Sequence, residues 1–135
     1  MKRLLFLDSG VFIAAFRGND EVAQKAMEIL NDPDIEIASS AFIKLETLPK
    51  ARFNKRIIEA EFYETFFENV TVWAEPSEEL ALAALDTASK NDLGAMDALH
   101  IVSAVKCRAD EFITTEKPVK PFHRVTKIPV RFISQ

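Results

Sequence analysis

The chain contains a single cysteine, Cys107, among its 135 residues. One thiol cannot form an internal disulfide, which excludes the small secreted domains that depend on such bonds. We therefore expect a cytoplasmic protein in which Cys107 is a buried small hydrophobe. His100 and His123 do not combine with this cysteine in a zinc-binding spacing, so the common Cys/His zinc sites are excluded as well.

Long apolar runs are also lacking. No window approaches the roughly 18 apolar residues that a membrane span requires. Lys2 and Arg3 before residues 4–7 imitate a signal peptide, but Asp8 interrupts the apolar stretch early and no clear cleavage site follows. Internal repeats, low-complexity tracts and linkers are absent too. We expect one domain over residues 1–135, large enough to bury a core without disulfides.

Charges of one sign are missing from two stretches of a chain whose formal net charge is −4. No Lys or Arg lies between Glu59 and Glu79, and no acid follows Glu116. Solvated faces are the ordinary explanation of such runs, although the segregation leaves room for a local anion-binding surface. Basic residues cluster at two places: Lys50, Arg52, Lys55 and Arg56 come before the acidic stretch, and Lys117, Lys120, Arg124, Lys127 and Arg131 follow Glu116.

Hydrophobic patterning predicts strands that alternate with helices. Residues 3–8 are typical of a strand buried on both faces, and a helix over 10–17 follows, capped by Asp8 or Ser9. Further strands are predicted in "IEIAS", "VTVWAE", "EFITTE" and "VRFIS", with helices between them. Pro49 is expected to kink or end its helix. The alternation indicates an α/β fold with a mainly parallel sheet.

Four carboxylates stand out against this pattern. Asp8 ends the first predicted strand, Glu116 ends "EFITTE", and Asp97 opens the apolar helix "AMDALHIVSAVKCR". Glu46 lies in a helix among apolar residues. Taken singly, each could be a helix cap, a partner of a helix dipole, or an exposed charge. Together they indicate a site, because a parallel α/β fold brings strand carboxyl ends and the following helices to one edge of the sheet.

The chemistry of such a site follows from its charge. Four converging carboxylates would repel one another unless a cation joined them. Oxygen ligands of this kind are typical of Mg²⁺ or Mn²⁺. A metal held in this way aligns a phosphodiester and lowers the pKa of an attacking water. The four carboxylates are therefore interpreted as catalytic and metal-ligating groups for phosphoryl chemistry: Asp8, Glu46, Asp97 and Glu116.

The segments "LFLDSGVFI", "LE" near position 46, "DALHIVSAV" and "FITTEKPVKPF" together resemble the PIN domain. The nearest likeness is to the small ribonucleases that include the VapC-type toxins of prokaryotic toxin–antitoxin pairs, and it extends from Arg3 to Phe132. It implies a three-layer α/β/α sandwich around a mainly parallel sheet. It also implies RNA as substrate, an antitoxin protein as partner, and a homodimer with residues 20–70 as the candidate interface.

The resemblance also implies roles for single residues. Asp8, Glu46 and Asp97 match the acids of the family, which hydrolyses RNA with Mg²⁺ or Mn²⁺ to leave 5′-phosphate and 3′-hydroxyl ends. Asp8 and Asp97 would be direct ligands of the first metal, and Glu46 would ligate it or polarise the attacking water. Ser9 corresponds to the small polar residue that follows the first acid and hydrogen-bonds to its neighbour.

Glu116 is a departure from the family, which usually has aspartate at this position. Thr114 precedes it by two residues and would orient its carboxylate. A glutamate reaches one methylene farther, so it would hold a second metal differently. Cations near these segments are candidates for contacts with RNA phosphates: Lys50, Arg52, Lys117 and Lys120.

Some side chains have two explanations. His100 lies three residues after Asp97, within reach of a ligand or proton-relay role, but a histidine packed in a buried helix is the more common case. Phe42, Phe53 and Phe122 could stack on RNA bases, although a role in the core or between helices is favoured.

Two other functions remain open beside a Mg²⁺- or Mn²⁺-dependent endoribonuclease toxin. A phosphatase with Asp8 as nucleophile usually has a second acid two residues on, where this chain has Gly10. A PIN-like domain with a weakened or inactive site, which binds RNA or protein without cutting, is favoured only by Glu116.

Overall fold

A computed structural model describes residues 2–118 and 121–133, without the side chain of His123. In this part of the chain there are six α-helices, one turn of 3-10 helix at Pro121–Arg124, and five strands. The helices are α1 (Ser9–Arg17), α2 (Glu21–Asn31), α3 (Ala41–Phe53), α4 (Ile57–Glu68), α5 (Glu78–Asn91) and α6 (Ala95–Lys106). The strands are β1 (Arg3–Leu7), β2 (Ile35–Ser40), β3 (Val72–Ala74), β4 (Glu111–Thr114) and β5 (Val130–Phe132).

The five strands form one sheet in the order β3-β2-β1-β4-β5. The first strand lies in the middle, with Leu5 opposite Ile37 of β2 and Phe6 opposite Phe112 of β4. Every pair is parallel, so each connection must cross over the sheet, and helices cover both faces. The predicted three-layer α/β/α sandwich is confirmed, with a sheet that is parallel throughout.

The core lies against the two central strands. Phe6 and Phe112 are fully buried and stack with ring centroids 5.9 Å apart, and Phe122 packs on Phe112 at 5.3 Å. Burial on both faces explains why the sequence of β1 shows no polar alternation. Phe122 and Cys107 are buried, as expected. None of the helices in the described ranges is both long and apolar enough to cross a membrane.

The helix starts follow from capping residues that the sequence shows. Asp8 caps α1, with its carboxylate accepting the Ser9 N–H at 2.9 Å, so the helix begins one residue earlier than predicted. Asp20 caps α2 by accepting the Ala23 N–H at 3.0 Å. These short polar side chains satisfy backbone donors that have no partner inside the helix.

Two predictions are wrong, and a third is wrong in part. Pro49 was expected to kink or end its helix, and it does not end it, because α3 continues to Phe53. The carbonyl deprived of a partner by Pro49 belongs to Leu45, whose side chain is 63% exposed, a position open to water. Phe53 is not in the core but 86% exposed. The strand predicted in "EFITTE" ends at Thr114, so Glu116 lies in the loop beyond it.

A buried carboxylate joins α1 to α4. Glu59 is 5% exposed and accepts hydrogen bonds from the Tyr63 hydroxyl at 2.6 Å and from Arg17 Nε at 3.1 Å. Burial opposes ionisation of Glu59, but Tyr63 and Arg17 outweigh it and hold the pKa of this carboxyl below its usual range. The ion pair therefore fixes one wall of the groove described below.

Truncation of Phe112 tests the core. Phe112→Ala removes a ring packed between two others on a central strand, and it should lower the free energy of unfolding by about 3–5 kcal/mol. Urea denaturation measures this change. Phe53→Ala is the matched control, and because Phe53 is 86% exposed, the expected change is below about 0.5 kcal/mol. Equal losses in the two variants would contradict this placement of the core.

Candidate metal centre

Asp8 lies where the two central strands end. Its side chain is 6% exposed, and its carboxylate accepts hydrogen bonds from the Ser9 N–H and from the Thr114 hydroxyl, each at 2.9 Å. Its own N–H donates to the carbonyl of Ile113 at 2.9 Å. The last residue of β4 therefore orients the carboxylate that follows β1, at the edge of the sheet where ligands bind in parallel α/β folds.

Glu46 reaches this edge from α3. Its Oε1 accepts the Ser9 hydroxyl at 2.9 Å and lies 2.5 Å from His100 Nε2. The same histidine nitrogen is 4.0 Å from Oδ1 of Asp8. Side chains from α1, α3 and α6 thus meet at one point, and the ligand atoms of Asp8, Glu46 and His100 lie within 4.8 Å of one another.

Asp97 lies in the first turn of α6, half-buried. Burial and the charges of Asp8 and Glu116, with a smaller contribution from Glu46, together raise the pKa of its carboxyl to about 6. His100 opposes the shift. Asp97 therefore lies within the electrostatic field of the other three acids. Among the described residues, the group whose ligand atoms meet contains Asp8 and Glu46 with His100, and it does not include Asp97 or Glu116.

Glu116 lies in the loop after β4, exposed to solvent. Its N–H donates to the Thr114 hydroxyl at 3.1 Å, while that hydroxyl donates to Asp8. Thr114 was expected to orient the carboxylate of Glu116. In the structure its hydroxyl bonds the carboxylate of Asp8 and only the backbone of Glu116, so one side chain links two of the acids.

His100 belongs to the site, although packing was the favoured explanation from sequence. The ring is fully buried, as a packed histidine would be, yet its Nε2 contacts Glu46. The signal in the sequence was its spacing from Asp97, because residues three apart share a helix face. Spacing alone could not show that Glu46, from another helix, meets the ring.

The electrostatics of the cluster fit a cation. Burial raises the pKa of Asp8 and Glu46 raises it too, while His100 and the hydrogen bonds from Thr114 and Ser9 only partly offset this. Within the described ranges, the ion pairs of Asp8 and Glu46 involve His100 alone. Carboxylate oxygens are the donors that Mg²⁺ and Mn²⁺ accept, so the acids present fit such an ion.

Of the cations predicted to contact RNA, Lys50 lies next to the cluster. It lines a groove of about 460 Å³ together with Ser9, Glu46 and Arg17. Arg52 instead pairs with a glutamate of α4, and Lys117 is exposed in the loop after β4. Lys120 lies outside the described residues.

Residues 5–126 match the family described as PIN domain. The chain belongs to the PIN domain family. The resemblance noted in the sequence is thereby confirmed over nearly the whole chain. No curated protein matches the sequence.

Several solved structures share the fold. VapBC2 from Rickettsia felis, bound to a DNA fragment from its promoter, aligns with a TM-score of 0.71 at 14% identity over 96% of this chain and 98% of that one. A toxin–antitoxin complex from Klebsiella pneumoniae gives 0.72 at 19% identity, over 96% and 97%. VapC20 from Mycobacterium tuberculosis, a sarcin-ricin loop cleaving toxin, gives 0.67 at 13% identity, over 93% and 98%. At such identities the likeness establishes the fold.

The raised pKa of Asp97 predicts a pH-dependent cost in stability. Its value is about 6 in the folded protein against 3.8 for a free side chain, so the folded state retains a proton that the unfolded state has lost between these pH values. Stability therefore falls as pH rises through this window, and the cost is complete above it. Asp97→Asn should raise the free energy of unfolding at pH 7.5 by about 1 kcal/mol, discounted for partial exposure.

Urea denaturation in EDTA at pH 7.5 and pH 3.5 measures this effect. Most of the gain should disappear at pH 3.5, where Asp97 is protonated in the folded state and largely protonated in the unfolded state. Asp86→Asn is the matched control, because this aspartate of α5 pairs with Lys90 at 3.2 Å and lies outside the cluster. A gain that persists unchanged at pH 3.5 would contradict the electrostatic origin.

Proposed function

We propose that this protein is a Mg²⁺- or Mn²⁺-dependent endoribonuclease that acts as the toxin of a toxin–antitoxin pair in the cytoplasm. One observation carries the proposal: Asp8 and Glu46 meet at the carboxyl edge of a parallel sheet, and their charges, with that of Glu116 and with burial, raise the pKa of Asp97 to about 6. Membership of the PIN family and the likeness to a sarcin-ricin loop cleaving toxin support RNA as the substrate.

Asp8 and Asp97 are the residues that would hold the first metal ion. Glu46 would hold it as well or accept a proton from the attacking water, and Glu116 would contribute to a second site. When bound, a divalent cation offsets the negative charge of the pocket and of the phosphodiester and lowers the pKa of a water molecule. The resemblance to the family implies that in-line attack of water on the phosphorus would leave 5′-phosphate and 3′-hydroxyl ends.

The protein's own contribution is to orient these groups. Thr114 and the backbone of Ser9 hold both oxygens of Asp8, and the Ser9 hydroxyl holds Glu46. Side chains held in this way need not reorganise when the substrate arrives. Lys50, one helical turn from Glu46 and therefore about 6 Å farther along α3, is the cation best placed to contact an RNA phosphate.

Protein partners would bind through exposed apolar side chains. Several structures with this fold are toxin–antitoxin complexes, which supports a small antitoxin as partner. Phe53, Ile57 and Ile58 are exposed around the connection from α3 to α4, within the residues 20–70 that are the candidate homodimer interface. A second exposed apolar pair, Leu82 and Leu85, lies on α5. Clustered exposure of this kind is typical of protein interfaces.

The structure argues against the phosphatase and does not argue against a PIN-like domain that binds without cutting. A side chain at Gly10 would place its Cβ 2.2 Å from the Thr115 hydroxyl, so the second acid of an aspartate-nucleophile phosphatase has no room there. A PIN-like domain that binds without cutting stays open because of Glu116, whose exposed side chain stands where the family usually has the shorter aspartate.

Substitution of the central acids tests the proposal. Purified protein is incubated with mixed-sequence RNA with and without Mn²⁺, and Asp8→Asn and Asp97→Asn should each slow cleavage by about 100-fold or more. Asp86→Asn controls for loss of a surface aspartate and should cleave like the wild type. Cleavage that persists in EDTA, or in both acid variants, would exclude the proposed mechanism.

Glu116 separates a full nuclease from a weakened one. Glu116→Asp restores the residue usual in the family and should keep or raise the cleavage rate, whereas Glu116→Gln removes the charge and should lower it. The loss in Glu116→Gln should be smaller than in Asp97→Asn, because Glu116 is exposed and its charge is better screened. If the wild type does not cleave RNA in Mn²⁺ but Glu116→Asp does, the weakened-site hypothesis is favoured.

A further inference from the structure

We propose that His100 is a positioning residue for Glu46: it fixes one carboxylate oxygen and leaves the other directed to the metal centre. The inference rests on the proposed function, because it assigns a role within the same site. Its starting point is a fully buried imidazole in contact with a carboxylate that comes from a different helix.

Two donors converge on the same oxygen of Glu46. The Ser9 hydroxyl, from α1, lies 2.9 Å from Oε1, and His100 Nε2, from α6, lies 2.5 Å from it. No hydrogen bond from a described residue is made to Oε2. One oxygen of the carboxylate is therefore held from two sides, and the other keeps its lone pairs for a ligand.

The hydrogen-bond network places the ring proton of His100 on Nε2. Nδ1 is buried and has no hydrogen-bond partner among the described residues. With the proton on Nε2, the ring donates to Glu46, and the only ring nitrogen without a partner among the described residues is Nδ1, as an acceptor. The opposite tautomer would bury an unpaired N–H and set a nitrogen lone pair against a carboxylate oxygen at 2.5 Å, which is repulsive.

Glu46 requires such support more than the aspartates do. Its side chain has three rotatable bonds and is 33% exposed, so without anchors it would sample many positions. Asp8 is shorter, buried and already bonded at both oxygens. The imidazole of His100 is fully buried in α6. A hydrogen bond from such a fixed donor restricts the rotamers of the longer Glu46 side chain.

The chain offers a matched pair of substitutions at this position. His100→Gln keeps a side-chain N–H donor, whereas His100→Leu has similar bulk and no donor. Isothermal titration calorimetry with Mn²⁺ should show a loss of affinity of about 10- to 100-fold for His100→Leu. His100→Gln should stay within about 3-fold of the wild type. Asp97→Asn should abolish Mn²⁺ binding. If it does, and neither His100 variant loses Mn²⁺ affinity, the metal site stands and the positioning role of His100 is overturned.

A second substitution guards against misfolding of the His100 variants. Ser9→Ala removes the other donor to the same oxygen without disturbing a buried ring, and it should also weaken Mn²⁺ binding. If His100→Leu does not fold, unchanged Mn²⁺ affinity in Ser9→Ala would mean that hydrogen bonds to this oxygen do not position Glu46, which overturns the proposal.

Two spectra separate positioning from direct ligation and from failure of the nuclease assignment. Nitrogen-15 NMR of the metal-free protein should show His100 protonated at Nε2, and an Nδ1-protonated ring would overturn the proposal whatever the cleavage assay shows. Electron spin-echo spectra of the Mn²⁺-loaded protein should show no directly bound histidine nitrogen, and such a coupling would also overturn it. If Mn²⁺ affinity falls in His100→Leu but the protein cleaves no RNA, the positioning role is supported and only the proposed ribonuclease activity is rejected.

Discussion

Mutual repulsion among carboxylates at the edge of the sheet is the constraint on which the surrounding structure depends. Asp8 is buried beside other acids, and each neighbouring element supplies a hydrogen bond that makes this placement possible: Thr114 from β4 and the backbone of Ser9 from α1. The remaining cost appears in the raised pKa of Asp97. A fold that gathers like charges in this way gives up stability to keep a site ready for a cation.

The protein contains a second buried carboxylate, and the contrast between the two is informative. Glu59 is as buried as Asp8, but Arg17 and Tyr63 donate to it and its pKa is lowered. The pKa of Asp8 is raised, mainly by burial and to a smaller extent by Glu46, because His100 and the hydrogen bonds that Asp8 accepts offset that burial only partly. Burial raises the pKa of both carboxyls. At Glu59 the cation and the hydroxyl outweigh it, and at Asp8 its partners do not, which separates a structural ion pair from a site with spare negative charge.

Several features were predictable because their causes are local. The apolar run of β1, the capping of α1 by Asp8 and of α2 by Asp20, and the punctuation before α6 all follow from side chains within a few residues. The errors arose where a distant contact or solvent decided the outcome. The helix α3 tolerates Pro49 on its exposed side, and Phe53 is exposed because no other element covers the end of that helix.

The sequence by itself determined the order of strands and helices, the positions of the four acids relative to strand ends, and the resemblance to the PIN domain. These depend on hydrophobic period, capping and motif order, which are read along the chain. Only the tertiary structure decided that Thr114 bonds Asp8, and that His100 and Ser9 share one oxygen of Glu46. Those contacts join side chains from separate elements, and their geometry depends on how helices pack on the sheet, which no local pattern encodes.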